Sequence, residues 1–138
     1  MSEIKVDTLT GKTSSGDITV TSEGGAATMQ LQQGLAKAWV NFNGTGTIVV
    51  RDALNVSGLV DNGSGQYTVN LTNALSDVNY STSSSVGFST SGGDDWVFMH
   101  ERMDNKTTSS TRVHIADNAV SSNVDMFGVF IAIHGDLA

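Results

Sequence analysis

Hydrophobic and polar residues alternate with a period of two over most of the chain, as strands with one buried face require. In "KAWVNFN", Ala38, Val40 and Phe42 fall on one face and Lys37, Trp39, Asn41 and Asn43 on the other. "QYTVNLT" is the clearest case, with Tyr67, Val69 and Leu71 opposite Gln66, Thr68 and Asn70. "TIVV", "ALNVSGLV", "VNYSTSSSVGF", "WVFMHER", "TRVHIAD" and "MFGVFIAIHG" supply the other strands, about eight in all. "NGTG" and "DNGSG" between them carry the residues that close hairpins. The pattern predicts an all-β fold, an antiparallel β-sandwich (jelly-roll-like) of about eight strands.

Residues 1–36 follow a different pattern. "IKVDTLTG" and "GDITVTSEGG" are short alternating pieces, and Ile4, Val6, Leu9, Ile18 and Val20 cannot build a core alone. In "ATMQLQQGLAKA", Met29, Leu31 and Leu35 line either a strand or one face of a short helix, which Gly34 would weaken by about 1 kcal/mol relative to Ala. The expected organisation is therefore a thin N-terminal leader over 1–36 and a sandwich head over 37–138. Such a leader is stable only against something else: its own head, or identical leaders from neighbouring chains.

Two positions break the one-sided pattern. Trp39 stands on the polar face of its strand. In the last strand Phe127, Val129, Ile131 and Ile133 share one face, yet Phe130 and Ala132 make the other face apolar as well. A strand apolar on both faces is central or pressed against another subunit. Trp39 calls for a cover too, from the leader or a neighbouring chain.

Composition narrows the function. A formal net charge of −7 would repel phosphate backbones and anionic membranes, so neither nucleic-acid binding nor a membrane-surface role is expected. No apolar run approaches the ~20 residues that span a bilayer. "MSEIKVD" has no basic segment followed by an apolar run, so no signal peptide is expected and synthesis is placed in a cytoplasm. The absence of cysteine excludes disulfides, thiolate catalysis and Cys-based metal sites. N-x-S/T triplets, among them those at Asn43, Asn55, Asn70, Asn79 and Asn105, follow from the abundance of Asn, Ser and Thr.

Three motifs suggest chemistry and lack its context. In "NGTGT", Gly44 and Gly46 are followed by Val49 where a dinucleotide fingerprint needs its third glycine, and by strand rather than helix. "HER" at His100–Arg102 begins like the zinc helix H-E-x-x-H, but Asp104 occupies the second histidine position. His114 and His134 lie on other strands, so a metal would need copies meeting on an oligomer axis. Asp94 and Asp95 in "GGDDWVF" have no second acidic cluster as partner, and no serine sits in a G-x-S-x-G context. No catalytic residue, cofactor or metal ligand is expected, and nothing argues for an enzyme.

One long stretch carries a resemblance. K-A-W-V-N-F-N-G-T-G-T, then R-D with N-V-S, then D-N-G-x-G-x-Y-T-V-N and a D-x-N-Y at the start of a strand run from about Gly34 to Ser81. This resembles a module recurring in tail-fibre and related appendage proteins of bacteriophages, especially marine ones. The leader "SEIKVDTLTGKTSSGDITVT" is similar to the start of such proteins, and "VFIAIHG" to their apolar last strand. The resemblance implies a virion structural protein assembled in a host cytoplasm. It also implies a homotrimer joined to other virion proteins through its leader. Leu31, Leu35, Trp39, Phe127 and Phe130 are the candidate subunit interface. A host glycan or outer-membrane receptor would be met by the loops of "STSSSVGFSTSGGDDW" and "MDNKTTSSTR", with Phe88, Asp94, Asp95, Trp96, Asn105 and Lys106 as candidate contacts. The alternatives are a capsid decoration protein and a cellular carbohydrate-binding module.

Overall fold

A computed structural model describes residues 3–14, 17–25, 27–88, 97–117 and 122–138. The chain divides into two compact units, the first ending at Leu35 and the second beginning at Ala36.

Among its described residues the first unit contains one hairpin, β1 (Thr19–Thr21) and β2 (Thr28–Gln30), with Val20 opposite Met29. After Gln30 the chain turns instead of forming a helix: the amides of Gln33 and Leu35 donate to the carbonyls of Gln30 and Gln32. Met29 is thus a strand residue, and Leu31 and Leu35 lie in turns. Ile4, Val6, Leu9, Val20, Met29 and Leu35 are all exposed, so two three-residue strands organise this segment without giving it a core.

The second unit holds β3 (Ala38–Asn43), β4 (Val49–Leu54), β5 (Val56–Asp61), β6 (Gln66–Leu71), β7 (Ser81–Gly87), β8 (Val97–Glu101), β9 (Ser110–Asp117), β10 (Ser122–Asn123) and β11 (Gly128–His134). One sheet has the order β4-β3-β11-β7. In the other, β5 pairs β6 and β6 pairs β9; β8 runs along the far edge of β9, whose last residues also pair β10. All pairings are antiparallel. The inner faces meet in one core, where Phe42, Tyr67, Val69, Ile115, Val129 and Ile133 are fully buried. Phe42 and Tyr67 meet edge to face with ring centroids 5.0 Å apart. The expected all-β antiparallel sandwich is the observed fold. The jelly-roll likeness does not extend to strand order: β3–β4, β5–β6 and β8–β9 are neighbours within a sheet, whereas a jelly roll sends most successive strands to opposite sheets. The loops after Asn43 and Asp61 close the β3–β4 and β5–β6 hairpins.

Two strand boundaries differ from the sequence pattern. "VVRDAL" and "VSGLVD" are separate strands of different sheets, joined by Asn55 alone in the left-handed region at φ 55°. Its Nδ2 donates to the carbonyls of Lys37 and Asn73, and its Oδ1 accepts from the amide and Nδ2 of Asn73. This side chain pins the crossing between sheets. The last strand begins at Gly128, so Phe127 is not on the core face with Val129; the chain bends there, Met126 enters the core and Phe127 turns outward.

Candidate functional site

Each outward position of the β4-β3-β11-β7 sheet follows from alternation on a strand whose other side is core. The register aligns Leu54, Trp39, Ala132 and Ser83 in one row across four strands, and Asp52, Asn41, Phe130 and Ser85 in the next. A shallow depression of about 470 Å³ lies between Trp39 and Phe130, floored by Ala132 and walled by Asn41 and Ser83–Ser85. Leu54, Phe127 and Phe130 remain between 41% and 48% exposed.

Arg51 orders one end of this face. It stands opposite the register shift between Asn41 and Phe42, where the extra residue is free of the ladder. Nη1 donates to Asn41 Oδ1 and to the Phe42 carbonyl, and Nη2 donates to the Phe127 carbonyl at 2.6 Å. The guanidinium carbon lies 4.6 Å from the centroid of the Phe127 ring, a cation–π distance. Phe127 is therefore held in place on the surface. The face combines fixed aromatic rings, a hydroxyl rim and one ordered cation, a chemistry suited to burying another surface. Among the described residues no group of three or more His, Cys, Asp or Glu gathers to hold a metal ion.

The remaining candidates are dispersed. Trp39 and Phe130 share the depression, Phe127 is linked to its Asn41 wall through Arg51, and Leu31 and Leu35 belong to the first unit. Phe88 is exposed just beyond β7, and Asn105 is exposed at the end of a 3-10 turn, Met103–Asn105. Asp94, Asp95 and Trp96 lie outside the described residues. Lys106 is placed differently from a solvated loop cation. Its side chain is 5% exposed and turns inward, with Nζ 2.9 Å from Glu101 Oε2. A buried carboxylate on the adjacent strand draws the ammonium in. Leu54 and Arg51 had no signal in the sequence as members of the face, because the bulge that aligns them exists only in the paired sheet. His100 and His114 are cross-strand partners on one sheet, while His134 ends β11 on the other.

No protein-family model matches the chain, and searches of curated proteins and of solved structures return no match.

Proposed function

We propose that this chain is a non-enzymatic structural module of a bacteriophage tail fibre or similar virion appendage, working as a homotrimer. The observation that carries the reading is the apolar outer face of the β4-β3-β11-β7 sheet, where Trp39, Leu54, Phe127 and Phe130 stand ready to be covered. The module resemblance from Gly34 to Ser81 supplies the virion context. Burying the exposed half of Leu54, Phe127 and Phe130 contributes about 1 kcal/mol apiece, and the partly buried Trp39 adds less. Association costs at least about 4 kcal/mol. The face alone therefore falls short, and the leader's Ile4, Val6 and Leu9 add the remaining apolar surface by packing with their copies. The leader attaches the trimer to other virion proteins. Phe88 and Asn105 remain candidates for meeting a host glycan or outer-membrane receptor.

Light scattering at micromolar concentration tests the assembly. The expected mass is three times the 14.4 kDa of one chain. The double variant L54S/F130S should give monomers with an unchanged circular dichroism spectrum. A monomeric wild type overturns the reading. Adsorption competition separates a receptor-contacting fibre, which slows phage attachment to cells, from a capsid decoration protein, which does not.

A further inference from the structure

The outer face of the other sheet has a different chemistry. His100 on β8 and His114 on β9 are directly opposed, their ring centroids 5.3 Å apart and their planes tilted by 43°. Arg112, the next outward position on β9, donates through Nη2 to Gln66 Oε1 at 2.9 Å. Arg102 lies beside it, its amide donating to the Arg112 carbonyl. His114 alternates with the core residues Val113 and Ile115, yet is only 8% exposed. Its Nε2 and the Nε of Arg112 are both buried with no hydrogen-bond partner among the described residues. Native proteins satisfy nearly all such atoms. Two of them at successive outward positions of one strand call for a partner that the described residues do not supply, and for the Nε–H of Arg112 that partner is an acceptor.

The charges indicate what kind. Arg102 is held by Asp104 through Nε at 2.9 Å and Nη2 at 2.8 Å. Arg112 has no carboxylate within ion-pair distance among the described residues. Among the described residues one guanidinium and two imidazoles thus lie together with no carboxylate paired to them, on a chain of net charge −7. Burial first, then His100, Arg102 and Arg112, hold His114 below its ordinary pKa, with Asp104 opposing them. A divalent cation would face both guanidinium groups with only two imidazole ligands, so an anion is the better match.

We propose that Arg112, His114 and His100 form a binding site for a phosphate group, free or as a terminal monoester. The planar guanidinium edge suits phosphate oxygens, and each imidazole becomes a charged donor when protonated. The exposed His100 ring, on the edge strand, swings aside to admit the ligand over His114. Binding and proton uptake are reciprocal, so the affinity for the phosphate dianion rises as pH falls through the titration of His114. The site lies within one unit and does not depend on the trimer.

The test titrates the full chain with sodium phosphate, and separately with glucose 6-phosphate, at constant ionic strength in chloride, following the imidazole signals by NMR. Saturable shifts are expected at His100 and His114 with an upward movement of the His114 pKa, and affinity for the dianion about tenfold tighter at pH 6 than at pH 8. His134, on the other sheet, should not respond. Arg112→Gln and His100→Gln should each weaken binding about tenfold while keeping the wild-type thermal melt. Should R112Q fail to fold, H100Q, altered only at an exposed edge position, carries the test. Tighter binding of the sugar phosphate assigns the site to a monoester, and equal binding to the free ion; both uphold it. Shifts that never saturate, or that appear equally at His134, mean an adventitious ion only and overturn the proposal. So does wild-type affinity in the variants, or zinc engaging the histidine pair when phosphate does not.

Discussion

Replacing Lys106 with methionine isolates the buried ion pair at one end of the sandwich. Lys106 Nζ lies 2.9 Å from Glu101 Oε2, with the two side chains 5% and 15% exposed. It also donates to the Tyr80 carbonyl at 2.7 Å and sits 3.9 Å from the centroid of the Tyr80 ring. The other carboxylate oxygen, Oε1, accepts from Thr82 Oγ1 at 3.0 Å and from Thr111 Oγ1. Methionine keeps most of the stem and removes the charge, leaving a buried carboxylate on two neutral hydroxyls. Stranding a buried charge costs about 3–5 kcal/mol. The hydroxyl support places this case near the lower end, at about 3 kcal/mol. For a unit of this size that corresponds to a fall of about 12 °C in Tm. Urea unfolding by circular dichroism at fixed protein concentration reads the loss, with the m-value unchanged. Glu101→Gln in the same chain should recover about 2 kcal/mol, because a neutral amide needs no counter-ion. A Lys106→Met stability within about 0.5 kcal/mol of wild type, the range of ordinary surface substitutions, would refute the reasoning and return Lys106 to the solvated loops.

Gly44→Ala should cost about 2 kcal/mol by overpacking in urea unfolding. Its added methyl would lie 2.5 Å from Tyr67 Oη and 2.8 Å from Cζ, and Tyr67 is fully buried. Asn55→Ala should cost about 3 kcal/mol, losing the left-handed preference and four hydrogen bonds together, whereas Asn55→Gly should recover about 1 kcal/mol by accepting the backbone. In chloride buffers, stability should fall as pH drops below about 6.5, since the unfolded chain protonates His114 before the folded one does; His114→Gln should flatten that slope. On the alkaline side, burial pushes the Tyr80 hydroxyl up to about 12, and burial followed by the Asp125 hydrogen bond pushes Tyr67 higher still. Stability should therefore decline as pH rises above about 10, where the unfolded tyrosines ionise first. A pH-independent melt between 9 and 11 would contradict it.

Period-two alternation was enough to place β3 and β6, because each has one face in the core and one in the outer layer. The two-sided apolar character of the last strand also had a visible cause: β11 is central, paired by β3 and β7, with Phe130 and Ala132 on its outer side. "NGTG" and "DNGSG" were legible as hairpins because Gly46, Gly63 and Gly65 adopt positive φ, which few other residues tolerate. Local pattern does not reach across the sheets. Asn55 looks like any asparagine between apolar residues, and only the carbonyls of Lys37 and Asn73, 18 residues away on either side, make it the crossing point. Lys106 reads as a loop cation until Glu101 and Tyr80 are brought around it. Likewise Arg51 and Leu54 join Trp39 and Phe130 only through a bulged register, and His114 meets His100 only because β8 folds back on β9. The strands were a matter of local side-chain periodicity. Both candidate faces required pairings between residues distant in sequence, which tertiary structure alone decides.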